Sequence, residues 1–561
     1  MKHYFLPLFM LCINLISCEK PQQEGQDPGA GGEKPTYEFV LNSGNNLYGQ
    51  ITDAKTGAPL SGIPVTDGYN YTLTDEGGYY QMKSYSSDTE YARTVYLSVP
   101  ADYEIPFGED GYPSFYEYID KDEDGLCRKD FKLARRESVY EDFTIMSLAD
   151  IHIKTADNLA RFTSETIPDL ISTVSEGESN KIYKNTLVLT LGDNVWDTAD
   201  QYGPFKASMS DLRLTNGRQL NVVPCIGNHD LMQKEGTTDF TVSKRYVDNF
   251  GPYDFSFDVG KVHFVFMRNF IRSGAGSGNT VATSGGFLES QMKWLEQDLA
   301  LVKDKEDKLL IFCGHYPVHE NSTGNKDAFF KMLTQFHEVH CLTGHHHGVY
   351  NRFFDSYKAK GGKPMYDHNQ VSAGGVWWKS NLNPDGVPNG YMIYNIKGKS
   401  VSAWYYKAVG APLSQKQLRV YDGDASYEAV TGKSYAWTSM FSEVGYNMDP
   451  KGKYIVKVHA ADTRNWTAEF VQDGKVLPMT RVTTSIYDLC AYVFSFSYPN
   501  SAGGYEPGGD RYKQKNTNYW YIDKSKVDLQ KEWIVKAYHT LPTGAKMEYR
   551  SSALQSGFEG F

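Results

Sequence analysis

Five times between Phe143 and Val349 an apolar run breaks off at a short polar cluster, and this recurrence constrains the fold more than any other feature of the 561-residue chain. The runs cover 143–148, 186–191, 220–226, 309–313 and 339–342, and a sixth, 262–267, ends without such a cluster. The clusters are Asp150-Ile-His152, Gly192-Asp193-Asn194, Gly227-Asn228-His229-Asp230, Gly314-His315 and Gly344-His345-His346-His347. Short apolar runs of this kind read as buried strands. Helical spacing intervenes, as at Leu288, Met292, Leu295 and Leu299 within 287–302. Strands alternating with helices predict an α/β layered domain. In an open α/β sheet the strand C-terminal ends share one crevice, so the clusters are expected to meet.

The donors in these clusters are carboxylate, amide and imidazole, with no thiolate, which suits borderline divalent or trivalent metal ions and argues against a cysteine-type structural zinc site. Asp150, His152, Asp193, Asn228, His315, His345 and His347 are too many for one tetrahedral ion and right for two ions sharing a carboxylate. Glycine ahead of four clusters fits a sharp strand-to-loop turn that needs positive φ or a missing side chain.

In this order the five motifs resemble the calcineurin-like metallophosphoesterase superfamily, over about residues 143–350. The resemblance implies a central four-layer αββα sandwich and two divalent or trivalent ions, Mn, Fe or Zn. Carried over by motif, Asp150, His152 and His347 hold the first ion, Asn228, His315 and His345 the second, and Asp193 bridges them. His346 occupies the variable position and takes no ligand role. A hydroxide bridging the ions would be the nucleophile, and His229 matches the general acid that protonates the leaving alkoxide. That imidazole needs an acidic partner, for which Asp230 and Asp197 are the candidates.

The activity implied is hydrolysis of phosphate esters, with monoesters favoured. A phosphodiesterase acting on a nucleotide, lipid head group or wall polymer would use the same metals, and a non-catalytic surface binding lipoprotein would keep the fold without turnover. The Ser/Thr protein phosphatase branch has a second Asp where this chain has Trp196, with the acid one residue later at Asp197 and no Arg following. Purple acid phosphatases carry a Tyr ligand at the same place, so the tyrosinate-to-iron colour is not expected here.

Outside this core the chain reads as β-rich. Short alternating runs with Gly and Pro turns over 37–135 predict an immunoglobulin-like β-sandwich, similar to carboxypeptidase-regulatory-like domains. The catalytic domain is expected over 136–355 and a C-terminal β-rich accessory domain over 366–561. Gly374-Gly-Val-Trp377-Trp378 is expected to pack between regions, the other reading being a wall of the substrate pocket. Cys127, Cys225, Cys313, Cys341 and Cys490 have wide, unpatterned spacing that argues against a disulfide scaffold; Cys225, Cys313 and Cys341, each at the end of an apolar run before a motif, are expected to be buried strand residues, the other reading being soft metal ligands. His319 and the other histidines outside the clusters are expected to be structural or on the surface.

The apolar run 4–16 is about half of what a helix needs to span a bilayer and reads as part of a signal peptide over 1–18. Its ending, Leu15-Ile16-Ser17-Cys18, resembles the lipobox of bacterial lipoproteins, making Cys18 the expected lipidation site, and 19–36 has the composition of a flexible tether. The expectation is an exported, membrane-anchored lipoprotein of the cell envelope, periplasmic or at the surface. With 57 basic and 68 acidic residues the net charge is −11 and no basic stripe is present, so nucleic acid is not an expected partner. A phosphate ester must then be drawn in by local positive charge.

Overall fold

The computed structural model describes residues 38–438, 440, 448–497 and 513–557. The expected signal peptide and tether, with Cys18, lie outside them.

Two sheets face each other at the centre. The first runs in the order Asn221–Cys225, Leu187–Leu191, Asp142–Leu148, Gly390–Lys397, Ser400–Ala408. Its first three strands are parallel and the last two antiparallel. The second runs Phe255–Val259, Val262–Phe266, Leu309–Cys313, Glu338–Thr343, Pro364–Asn369, Tyr350–Lys358, with parallel pairing from the second to the fifth strand. All six strands read from the sequence are present, 309–313 with the same bounds and the others within two residues.

Period-two alternation explains how one strand serves two layers. Ile145, Leu189 and Val223 join the core between the sheets, while their neighbours Met146, Val188 and Val222 pack under Phe162, Leu170, Val174 and Phe205 of the outer helices. Phe143 meets Phe264 of the opposite sheet at 6.0 Å between ring centres. On the far side Phe329 of helix Lys326–Leu333 packs edge-on against Phe312 at 5.0 Å. Burying each such side chain contributes about 1.5–3 kcal/mol, which makes the face-to-face arrangement the favoured one.

Strand pairing continues past the expected boundary between 355 and 366, so the first strands of the expected C-terminal region add to the central sheets. His340 to Thr343 pair in parallel with Tyr366 to Asn369, and Asp142 to Ser147 pair with Met392 to Lys397. Strands as far as Ala408 therefore complete the central sheets. Sequence composition there turns β-like because edge and antiparallel strands need no intervening helix.

Residues 47–133 form two four-stranded sheets, and 418–551 form two more with the fully buried helix Leu489–Ser495. The N-terminal sheets are pinned to the centre through Tyr71, whose hydroxyl donates to Asp298 at 2.9 Å, and Tyr96, which donates to the Asp254 carbonyl at 2.5 Å. The five cysteines from Cys127 onward are free and buried, Cys225, Cys313 and Cys341 among them as expected. Among the described residues no helix is long and apolar enough to cross a membrane.

Candidate metal centre

Each cluster begins within three residues of its strand's end, and three such ends from the first sheet meet two from the second. Their loops are laced by backbone bonds: His152 N–H donates to Asp193 O at 2.8 Å, Ile153 to Asn194 at 3.1 Å and Gly344 to His315 at 2.8 Å. The turns are tight enough to push the chemistry-bearing residues themselves into the left-handed region, with φ of 51° at Asp150, 57° at His152, 54° at Asp193, 74° at His345 and 55° at His347. A side chain held there costs on the order of 1–3 kcal/mol, and such strain persists where the surroundings over-determine it. Gly227 is required by proximity: a Cβ there would stand 2.0 Å from Asp193 N.

Two groups of donors result, each with its ligand atoms within 4.8 Å of one another: Asp150, His152 and His347, and Asp193, His315 and His345. His152 Nε2 and His347 Nε2 face each other at 2.8 Å. Asp193 Oδ2 lies 3.5 Å from His152 Nε2 and 3.2 Å from His315 Nε2, between the groups. Asn228 Oδ1 reaches His315 Nε2 at 3.1 Å, so it stands with the second group. The seven residues read from the sequence are thus brought together.

The centre is buried, and its electrostatics follow from that. Burial alone would raise Asp150 and Asp193, but the adjacent histidines override it and hold both carboxyls below the ordinary range. Burial pushes His152 down to about 4, keeping its ring neutral and free to donate a lone pair. His315 Nδ1 is 2.8 Å from the Leu191 carbonyl, which takes its N–H and leaves Nε2 as the donor to the centre. Buried carboxylates and imidazole nitrogens aimed at two common points fit a pair of divalent or trivalent ions.

His229 stands beside this centre, 22% exposed, its ring 5.3 Å from that of His152. Its Nδ1 is 3.0 Å from Asp197 Oδ1. Burial opposes the charged ring, yet Asp193 and Asp197 outweigh it and raise the imidazole above its ordinary value.

Asp230, the other candidate partner, is engaged elsewhere, which corrects that expectation. Its carboxyl accepts from Gly227 N at 2.8 Å, Val195 N at 3.0 Å and Asn194 Nδ2 at 3.1 Å, clasping two of the ligand loops together. The Asn228–Asp230 segment is one 3-10 turn, in which neighbouring side chains point about 120° apart.

Other residues that position the site carry no local signal in the sequence. Asn269 Oδ1 accepts from His315 N and Tyr316 N, both at 2.9 Å. Ser372 Oγ donates to Asp150 O at 2.8 Å, and Trp378 Nε1 to Ile151 O at 2.7 Å. Trp378 is buried packing, but Trp377, half-buried, stacks on Trp196 at 5.8 Å and lies 4.9 Å from the His347 ring, so this loop also walls the centre.

Two donor clusters side by side at the strand ends of two facing sheets define a candidate dinuclear metal centre in an α/β fold. Family comparison agrees. Residues 143–349 match the calcineurin-like phosphoesterase domain, 45–136 the N terminal of calcineurin-like phosphoesterase and 367–538 its C terminal. The chain belongs to the calcineurin-like phosphoesterases and is a phosphoric ester hydrolase, for which the family implies a dinuclear metal site. Among solved structures, a purple acid phosphatase from yellow lupin (Lupinus luteus) seeds aligns at 10% identity over 61% of this chain and 68% of that one, with a TM-score of 0.31. The 5'-nucleotidase from Candida albicans SC5314 aligns at 15% identity over 48% of this chain and 52% of that one, with a TM-score of 0.28. Comparison with curated proteins gives no match.

Proposed function

We propose that the chain is a phosphomonoesterase working through two metal ions, with Asp150, His152 and His347 holding one, Asn228, His315 and His345 the other, and Asp193 shared. The observation that carries this reading is the position of Asp193 Oδ2 between His152 and His315, at 3.5 and 3.2 Å. Metal ions held by these residues would supply an activated water at neutral pH and would offset charge on the phosphoryl oxygens.

The protein's own groups do the rest. Asp150 and Asp193 stay ionised, so the centre keeps its negative charge and its affinity for cations. Asp197 fixes the tautomer of His229, leaving Nε2 to carry the proton for the departing alkoxide. Trp196 and Trp377 cover the His152 and His347 side and exclude water, which strengthens the electrostatics within.

The test is hydrolysis of para-nitrophenyl phosphate and of its bis-ester, with metal content measured on the same sample and Asp193→Ala and His229→Ala as controls. About two metals per chain, faster monoester turnover and loss of turnover in both variants are expected. Preference for the bis-ester would replace the reading with a phosphodiesterase, and full metal loading with no turnover of either would sink it.

A further inference from the structure

Beside the second ligand group lies a cavity of about 310 Å³, the lower end of the size range of small-molecule sites, about 300–1,000 Å³. Two of the loops that carry that group, those of His315 and His345, run into its wall. Tyr316 stacks on His345 at 3.7 Å and is followed by Pro317, which lines the cavity, and His345 is followed by His346, which also lines it. Asn369, a third wall residue, donates through Nδ2 to the Gly344 carbonyl just ahead of His345.

The charges in this wall are unequally matched. His346 Nε2 is 2.6 Å from Glu320 Oε1, so that carboxylate is taken. Asp367 is taken as well, its Oδ1 by the Thr343 hydroxyl at 2.7 Å and its Oδ2 by Val318 N at 3.1 Å. Arg352, exposed on strand Tyr350–Lys358, lines the cavity and has no carboxylate within ion-pair distance among the described residues. Burial and the Arg352 charge together push the His319 imidazole well below its ordinary range, so it faces the cavity neutral. A guanidinium with no carboxylate at ion-pair distance, beside imidazole, amide and phenol groups and an Asp367 carboxyl already engaged by Thr343 and Val318, is a recognition surface for an anion and for hydroxyls. In a chain of net charge −11, a cation at this place favours the entry of anions.

We propose that this cavity holds the alcohol portion of the substrate and selects a hydroxylated one that carries a second anionic group, which Arg352 binds. The inference rests on the phosphomonoesterase reading above and narrows its substrate class to phosphate esters of anionic polyols, the second anion being a carboxylate or another phosphate.

The experiment uses the full chain and reads binding apart from turnover. With metal removed, glycerate and glycerol phosphate are titrated calorimetrically into wild type, Arg352→Ala and Arg352→Lys. Wild type is expected to bind at least one of them, with affinity lost at least tenfold in Arg352→Ala and partly restored in Arg352→Lys; whichever anion binds identifies the second group. With metal present, Arg352→Ala is expected to reduce kcat/KM for phosphoglycerate or fructose bisphosphate at least tenfold more than for para-nitrophenyl phosphate. No binding of either probe by wild type, or equal losses for all substrates, would overturn the cavity's role. Absence of any turnover by metal-loaded wild type would instead overturn the phosphomonoesterase reading, and the metal-free titration distinguishes the two failures.

Discussion

Asp197 takes the Nδ1 proton of His229 at 3.0 Å, and its other oxygen accepts the Thr280 hydroxyl at 2.7 Å. Asn279 Nδ2 also donates to the Asp197 carbonyl at 3.0 Å, so the hairpin of strands Phe270–Ala275 and Val281–Gly285 grips the acid that orients the imidazole. Asp197 itself is held at φ 51°.

A carboxylate in this position fixes a tautomer and stabilises the charged ring, so its loss falls on proton donation. Asp197→Asn is expected to lower kcat for an alkyl phosphate about 10²–10³-fold. For para-nitrophenyl phosphate, whose leaving group needs little protonation, the loss is expected to stay below about tenfold. Turnover of both esters by the purified variant checks this, and equal losses would place Asp197 outside proton transfer.

Asp230 has a different task, and its removal has a different signature. Asp230→Ala would leave Gly227 N and Val195 N buried without their acceptor, each at a cost of about 1–3 kcal/mol, and would remove one of the two bonds that Asn194 Nδ2 donates. The expected outcome is a lower Tm by calorimetry and loss of bound metal, whereas Asp197→Asn retains both.

The two adjacent tryptophans are separable in the same way. Trp377→Ala opens the His347 edge of the centre and is expected to speed metal release to a chelator about 10–100-fold with little change in Tm. Trp378 is buried against Phe162 at 6.3 Å and under Arg161, so Trp378→Ala is expected to cost about 3–5 kcal/mol of stability.

The strands and the ligands were legible because both are local: an apolar run of strand length that stops at a polar cluster needs no tertiary information to be seen. What escaped is what other parts of the chain supply. Asn269, Ser372 and Thr280 come from distant segments and hold the loops of the site through side-chain hydrogen bonds. The left-handed backbone of Asp150, His152 and Asp193 exists because neighbouring loops bond across it, and no residue type announces it. Adjacency in sequence made Asp230 as good a partner for His229 as Asp197, until the 3-10 turn set their directions apart. The strands that complete both sheets, as far as Ala408, lie beyond the last motif, where nothing in composition separates an edge strand of one domain from the start of the next.

Away from the centre, His263 ties the second sheet to its outer helix. Its Nδ1 is 2.6 Å from Asp258 Oδ1 and its Nε2 3.0 Å from Asp298 Oδ2, while Tyr71 of the N-terminal region donates to the same Asp298. Burial would lower this imidazole, but the two carboxylates prevail and raise it to about 9. An unfolded histidine titrates near about 6.5, so the folded state holds its proton more tightly. The stabilisation is therefore fully present below about pH 6.5, declines as pH rises and is gone above the folded value; its full size is about 3 kcal/mol. Thermal unfolding followed from pH 6 to 9.5 is expected to show a falling Tm in wild type and a much flatter profile in His263→Gln, which retains a hydrogen-bonding side chain but no titrating ring. A slope of equal size in both proteins would assign the pH dependence to other groups.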